Sequence, residues 1–406
     1  MISVEEAFRT ILAHVRPLGA ERVALAEAVG RVLTEDVVSP ICIPPFDNSA
    51  MDGYAVRVED LAGATELDPV PLKVLGEVAA GAATVPAVEP GAAVRIMTGA
   101  PIPAGTEAVI MREETREFED RIEALATPEP GEHIRLAGED VERGEVVFKA
   151  GHALTPAALG VLASLGIAEV SVHRRPRVAI LGTGDELVPL GQPLGPGQIH
   201  DSSAVALETL VAMLGAAPTR LGIARDNLGE LRDKIARASG FDVLLTTGGV
   251  SVGDHDLVKQ VLAELGELNV WRVAMQPGKP LAFGHIDETV VFGLPGNPVS
   301  SLVAFEVFVR PALRRLQGHR VLEKPRFQAT LLQPIVKTQA RRQYLRAVVA
   351  CDRGSFSVVL TGPQGSHQLT SVARANALLI LPEGEKRYLP GDKATFFFLD
   401  GAEACL

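Results

Sequence analysis

The chain has 406 residues, 47% of them hydrophobic, with a formal net charge of −11. That length allows about two to four domains with sizeable cores and excludes a wholly disordered chain. The acidic balance argues against a general nucleic-acid binder, which carries a basic face, so an anionic substrate would need local cations, helix N-termini or a metal. Cys42, Cys351 and Cys405 lie far apart without CxxC spacing. They suggest neither a zinc site nor a disulfide framework, and fit a reducing cytoplasm.

In chain order, MISVEEAFRTILAHVRPL reads as an amphipathic helix rather than a secretory signal. A second helix is expected around GAERVALAEAVGRVL, before the Pro-rich turn SPICIPPF. Short β-like runs follow between residues 46 and 141: PLKVLGEV, AAVRIMTG, EAVIMREE and RIEALA, punctuated by Gly and Pro. DNSAMDGYAV (47–56) reads as a fixed turn rather than a strand. TPAALGVLASLG then returns to helix, so the β module is expected as an insertion in a helical domain. From Arg174 the pattern alternates. RVAIL, TRLGIA, FDVLLT and TVVFGL are strands; SSAVALETLVAMLG, with Ser202 or Ser203 as N-cap, LGELRDKIARAS, HDLVKQVLAELG and VSSLVAFEVFVRPALRRL are helices. Continuous apolar strands separated by helices predict a parallel sheet covered on both faces. After residue 318, RFQATLLQPIV, QYLRAVVA, FSVVLT, ALLILP and KATFFFL predict a small β-barrel or sandwich. No apolar run reaches the roughly 18 residues of a membrane span, and a soluble protein is expected.

Ligands of open α/β sheets bind outside the carboxyl ends of the strands. Three informative loops fall there: GTGDE (182–186), TTGGVSVGDHD (246–256) and PGNP (295–298). QPGKP (276–280) lies between two strand-like runs. GTGDEL is only a partial GxGxxG without an acid about 20 residues on, which rejects a dinucleotide fingerprint. Glu186, Asp226 and Asp256 would project from one sheet edge, where clustered carboxylates repel unless protonated or bridged by a cation. Mg²⁺ suits them, since it joins carboxylates to substrate phosphates. The loop can then hold a phosphate with Gly248 and Gly249 N–H groups and Ser251. Alternatively Asp254 and Asp256 cap the helix near Leu257, and Lys279 in QPGKP is a solvated lysine rather than an anion contact. Pro298 sits where a helix start loses nothing by lacking an N–H, leaving the N–H groups of Val299 and Ser300 for an anion. Asp52, Thr98 and Asp140, in DNSAMDGYAV, RIMTGAP and GED, form a second polar set in another domain.

The ordered set DNSAMDGYAV, RIMTGAP, GED, TGDEL, GGVSVGDHD, PGKP, LPGNPVS and GxQGSH resembles the molybdopterin molybdenumtransferase (MoeA-type) family, related to the C-terminal part of gephyrin, over essentially the whole chain. The resemblance implies four domains: a helical elongated domain (1–45 plus 142–173), an inserted β domain (46–141), an α/β molybdopterin-binding-like domain (174–317) and a C-terminal β-barrel (318–406). It implies a cytoplasmic homodimer with a cleft shared between subunits, bringing the Asp52 set near GTGDE. The implied reaction takes adenylylated molybdopterin and molybdate with a divalent cation and yields molybdenum cofactor and AMP. Asp52, Thr98, Asp140, Glu186, Asp226 and Asp256 match its functional positions, with Glu186, Asp226 and Asp256 as metal ligands. Gly248, Gly249, Ser251, Lys279, Pro295, Asn297, Pro298, Arg346 and Ser366 match substrate contacts, although Arg346 could instead face outward from an alternating strand. Molybdopterin adenylyltransferase and molybdoenzyme chaperones would be exchange partners; nucleic acid and membrane would not. Gln276 stands where several relatives carry lysine, which shifts the anion site onto Lys279 and Arg346. Two other functions compete: the adenylyltransferase itself, which shares the α/β domain, and a non-catalytic dimeric scaffold.

Overall fold

The computed structural model describes residues 1–249 and 257–400. The chain forms two compact units, one of Met1–Arg22, Gly30–Thr34 and the chain from Ser171 onward, the other of Val23–Val29 and Glu35–Val170.

In the first unit, α1 (Val4–His14) is capped by Ser3, whose hydroxyl accepts the Glu6 N–H at 3.0 Å. The second expected helix is absent. Gly19 bonds Arg174, Val32 bonds His173 and Thr34 bonds Ser171 through the backbone, while Ala20–Ala24 is a strand and Leu25–Glu27 a single 3₁₀ turn. Long-range strand pairing overrides the helix preference of the Ala- and Glu-rich segment.

The second unit carries six strands: β1 (Gly53–Val56), β2 (Val70–Val78), β3 (Ala92–Ile96), β4 (Ala108–Met111), β5 (Thr115–Glu117) and β6 (Arg121–Ala124). They lie in the order β4-β1-β3-β2-β6-β5. Residues 53–56, expected within a turn, are instead a buried interior strand between β3 and β4; only 50–52 bend. Tyr54 and Val56 face one apolar cluster and Ala55 another, so both faces of this short strand are covered. Helix α2 (Pro156–Ser164) follows, with Thr155 as N-cap and Pro156 in its first turn.

Returning to the first unit, β7 (Arg177–Thr183), α3 (Ser202–Met213), β8 (Ala217–Ala224), α4 (Leu228–Ala236), β9 (Val243–Thr247) and α5 (Leu257–Leu265) alternate as predicted. Then come β10 (Glu267–Arg272), β11 (Pro280–Ile286) and β12 (Thr289–Leu294). The sheet order is β8-β7-β9-β12-β11-β10. The first four strands are parallel, and β11 and β10 add an antiparallel edge. Alternate residues feed opposite cores: Val178 and Ile180 pack with α1 and α3, Ala179 and Leu181 with α4 and α5. Hence the unbroken apolar runs.

The helix after β12 is a single run in three parts: α6 (Pro298–Ala304), a π-type turn (Phe305–Val309) and α7 (Arg310–Leu316). Pro311 has no N–H for the carbonyl four residues before it, which accounts for the widened turn. The barrel comprises β13 (Phe327–Leu331), β14 (Arg342–Asp352), β15 (Ser355–Leu360), β16 (Ala377–Leu381) and β17 (Lys393–Phe398), closed by pairing of β14 with β16. Leu345, Ala347 and Val349 fill it, while Tyr344 on the opposite face joins the α/β core.

Candidate functional site

Chain order within the sheet fixes where a ligand belongs. From β7 the chain crosses through α3 to β8, then through α4 to β9 on the other side of β7. The strand order therefore reverses between β7 and β9, and the crevice at their carboxyl ends is the expected site. A cleft of about 30 Å³ opens there, walled by Thr183, Glu186, Asp201, Thr247, Gly296 and Pro298. The loops after β7, β8, β9 and β12 share this edge. Because β11 is antiparallel, with Ala282 opposite Gly293, its start also lies there, and Lys279 immediately precedes it.

Two glycines are required by close approaches. Gly184 has φ +143°, and a Cβ on it would stand 2.3 Å from the Glu186 carboxylate. Gly248 has φ +90°, and a Cβ would stand 2.6 Å from the Thr183 carbonyl oxygen. With these positions bare, the β7 and β9 loops meet, held by Thr183 Oγ1 donating to the Thr247 carbonyl at 3.0 Å. The Gly248 N–H is donated to the Leu294 carbonyl at 3.1 Å; it is therefore committed to the β12 loop.

Glu186 and Asp226 are exposed on neighbouring loops. Arg225 donates to the Asp185 and Leu187 carbonyls at 2.7 and 3.0 Å, and Asp185 Oδ1 accepts the Asp226 N–H at 3.1 Å. These bonds fix the two loops to each other. Asp256 and Ser251 lie outside the described residues. Among the described residues, no group of three or more His, Cys, Asp or Glu gathers as a metal site. Glu186 and Asp226 are two open oxygen donors, which fits an ion bound through one or two carboxylates and completed by substrate and water.

At the β12 end, Asn297 is the N-cap of α6, with Pro298 in its first turn, as expected. The Asn297 side chain makes no capping bond, so α6 has no side-chain partner for its first N–H groups. Pro295 is tied to this turn by Ser301 Oγ donating to its carbonyl. Gly278 of QPGKP approaches the Ser300 carbonyl, which places the half-buried Lys279 beside the same helix start.

Asp201 was not foreseen. It, rather than Ser202 or Ser203, caps α3, accepting the Ala204 N–H at 3.0 Å. It is only 8% exposed, lies against Gly182, and burial pushes its carboxyl above the usual range. The adjacent His200 Nδ1 has no hydrogen-bond partner among the described residues. The signal was available: an aspartate directly preceding a helical apolar pattern is an N-cap type.

In the second unit, Asp52 Oδ1 accepts both the Thr98 N–H (2.7 Å) and its hydroxyl (2.8 Å). These bonds, backbone first, hold the Asp52 carboxyl below its ordinary range, with help from Arg112 and Arg95. The surrounding turns are cross-linked: Gly99 donates to the Ser49 carbonyl, Ala50 to His133, and Asp140 to Ile43. Asp140 thus sits on a turn bound to Ile43, upstream of the Asp52 segment, and is exposed like Asp52 and Thr98.

Arg346 is fully buried. It lies on the outer barrel face, opposite Leu345 and Ala347, covered by residues 364–371. Its Nε donates to Ser371 Oγ at 3.0 Å and its Nη2 to the Gly365 carbonyl at 3.1 Å, while Nη1 has no partner. Burial without a carboxylate pulls its pKa down to about 10. An uncompensated buried guanidinium is costly to stability, and its Nη1 remains available to an acceptor. Ser366 follows Gly365 in the covering loop. β14 runs parallel to Met275–Gln276, with Gln276 beside Gln343. Arg346 is therefore roughly 10 Å further along the direction of the QPGKP turn.

Similarity to known proteins covers the chain end to end. Residues 2–166 match the MoeA N-terminal region (domain I and II), 179–315 a probable molybdopterin binding domain, and 328–399 the MoeA C-terminal region (domain IV). The chain is 40% identical over 400 residues to the molybdopterin molybdenumtransferase of Haemophilus influenzae, covering 97% of this chain and 98% of that one. It is 42% identical over 390 residues to molybdopterin molybdenumtransferase 2 of Mycobacterium tuberculosis, covering 94% and 96%. The crystal structure of a molybdopterin biosynthesis MoeA protein from Pyrococcus horikoshii superposes with TM-score 0.84 at 34% identity, over 99% of this chain and 100% of that one. With its sheet, switch-point cleft and closed barrel matched along their whole length, this chain belongs to the MoeA family of molybdopterin molybdenumtransferases.

Proposed function

We propose that this protein inserts molybdate into adenylylated molybdopterin, releasing AMP and forming molybdenum cofactor. The observation that carries the reading is the switch-point edge, where glycine turns, exposed carboxylates and Lys279 converge in a chain similar end to end to proteins named for this transfer. Gly249, Ser251 and the start of α6 at Asn297–Pro298 would receive the substrate phosphate, with Lys279 balancing its charge. Gly248 and Pro295 would shape the floor. Arg346 and Ser366 would hold the molybdate oxyanion, using the unbonded Nη1 of Arg346. Mg²⁺ held by Glu186, Asp226 and Asp256 would neutralise and polarise the phosphoanhydride. Asp201 would keep the β7 turn and the start of α3 in register beneath Glu186.

The four-domain division at residues 45, 141, 173 and 317 remains our proposal, as does a homodimer in which Asp52, Thr98 and Asp140 of one subunit complete the cleft of the other. No helix among the described residues is long and apolar enough to cross a membrane; a cytoplasmic location is part of the proposal. The test supplies purified protein with adenylylated molybdopterin, molybdate and Mg²⁺ and follows AMP and cofactor. Molybdate-dependent AMP release supports the reading. ATP consumption with pyrophosphate release would mean the adenylyltransferase, and neither reaction would mean a scaffold.

A further inference from the structure

The first unit also holds a cavity away from the sheet edge. It has a volume of about 390 Å³ and lies between α1, the π-type turn at Phe305–Val309 and the outer face of the barrel. Glu306 lines it eight residues along the helix from Pro298, roughly 12 Å from the sheet edge. Its size falls within the range of small-molecule pockets, about 300–1,000 Å³. Phe8, Pro311, Tyr344, Ile380 and Phe397 make its walls largely apolar.

Two buried polar atoms on this lining lack an aligned hydrogen bond, and they are of opposite kinds. Glu306 is 7% exposed, and its Oε2 has no hydrogen bond. Lys324 Nζ stands 3.2 Å from that oxygen as a counter-charge, but its aligned hydrogen bond goes to the Phe398 carbonyl at 3.0 Å. Across the lining, Arg342 uses its terminal nitrogens on Glu5 and Glu383, and its Nε is left without a partner. Native structures satisfy nearly all buried polar groups, so each exception asks for a ligand or water. The widened helical turn that presents Glu306 is itself a feature frequent at functional sites. At the mouth, exposed Arg9 has no ion-pair partner among the described residues.

We propose that this cavity binds an apolar α-amino acid. Its ammonium group donates to Glu306 Oε2, its carboxylate accepts from Arg342 Nε with Arg9 at the entrance, and its side chain occupies the aromatic and aliphatic wall. An acceptor and a donor on one apolar lining need a ligand that donates and accepts at one end and is hydrophobic at the other. A fatty acid would leave Glu306 unmet, and an amine would leave Arg342 unmet. The proposal is independent of the switch-point site.

The experiment is calorimetric titration of the full-length protein with L-phenylalanine, 3-phenylpropanoate, phenethylamine and L-alanine. L-phenylalanine is expected to bind, and each of the other three about tenfold or more weakly, since each loses a charged hydrogen bond or the apolar body. Arg9→Gln, at an exposed position, weakens L-phenylalanine severalfold and leaves molybdenum-cofactor formation unchanged. Val307→Trp, which fills the cavity from its lining, abolishes binding. No binding of L-phenylalanine at millimolar concentration overturns the proposal. So does either truncated analogue binding as tightly, or full binding by a folded Val307→Trp variant.

Discussion

Gly248→Ala probes the meeting of the β7 and β9 loops most sharply. An alanine at φ +90° incurs a backbone cost of roughly 1–2 kcal/mol. Its Cβ would also start 2.6 Å from the Thr183 carbonyl oxygen and 2.9 Å from its hydroxyl. Relaxing from 2.6 Å to ordinary contact at 3.4 Å moves backbone by 0.8 Å, because the obstacle is a carbonyl rather than a flexible side-chain tip. A displacement near 1 Å at a reacting centre costs about 10²-fold in rate. Gly240→Ala separates the two effects: its φ is +86°, nothing lies within 4 Å, and it precedes β9 at the opposite edge. Denaturant unfolding should show both variants destabilised by about 1–2 kcal/mol, with Gly248→Ala somewhat further. In the cofactor-forming assay, Gly248→Ala should fall by roughly 10²-fold in kcat/KM and Gly240→Ala by no more than about twofold. Equal activities at equal stability would refute the claim that this loop contact shapes the site.

Three further outcomes are expected. Arg346→Met loses bonds to Ser371 and Gly365 but removes an uncompensated buried charge, so stability should change by no more than about 1 kcal/mol while the molybdate concentration for half-maximal rate rises; a large loss of stability with unchanged molybdate dependence would mark a structural arginine. Asp201 has a folded pKa raised by burial, so its favourable linkage is present below the unfolded carboxylate pKa and lost as pH rises through the folded value. Asp201→Asn keeps the N-cap acceptor, and by pH-dependent melting it should match or exceed wild type at neutral pH and lose that advantage in acid. Asp52, whose folded pKa is lowered chiefly by Thr98, contributes stability above its unfolded pKa that is lost as pH falls through the folded value. Thr98→Val, which removes the hydroxyl bond and keeps the larger backbone one, should therefore only reduce that acid limb in protease-susceptibility profiles of the 97–101 turn.

Much of the α/β domain was legible because strands buried on both faces must be apolar throughout, as RVAIL and TVVFGL are. The antiparallel direction of Glu267–Arg272 and Pro280–Ile286 was not, since strand direction is a property of the connection rather than of the run. GAERVALAEAVGRVL carries helix-favouring residues, and only its partners near 168–174 make it extended. Similarly, GYAV looked like part of a turn because nothing local reveals that β3 and β4 flank it. The glycines and acids of the switch-point loops were legible as chemistry. Asp201 was passed over because two serines offered equally good caps beside it. For Arg346, alternation with Leu345 and Ala347 correctly implies the outer barrel face. Its burial arises from the covering loop, which the strand pattern does not contain.

The central claim is that carboxylates on neighbouring strand ends let an acidic chain process an anionic substrate through a divalent cation. The most direct measurement is Mn²⁺ binding by electron paramagnetic resonance, with and without adenylylated molybdopterin, for wild type, Glu186→Gln and Asp226→Asn. The account predicts substrate-enhanced Mn²⁺ binding in the wild type, weakened about tenfold or more in each variant, in parallel with AMP release. Undiminished Mn²⁺ binding in both folded variants, or molybdate-dependent AMP release unaffected by a chelator, would contradict it.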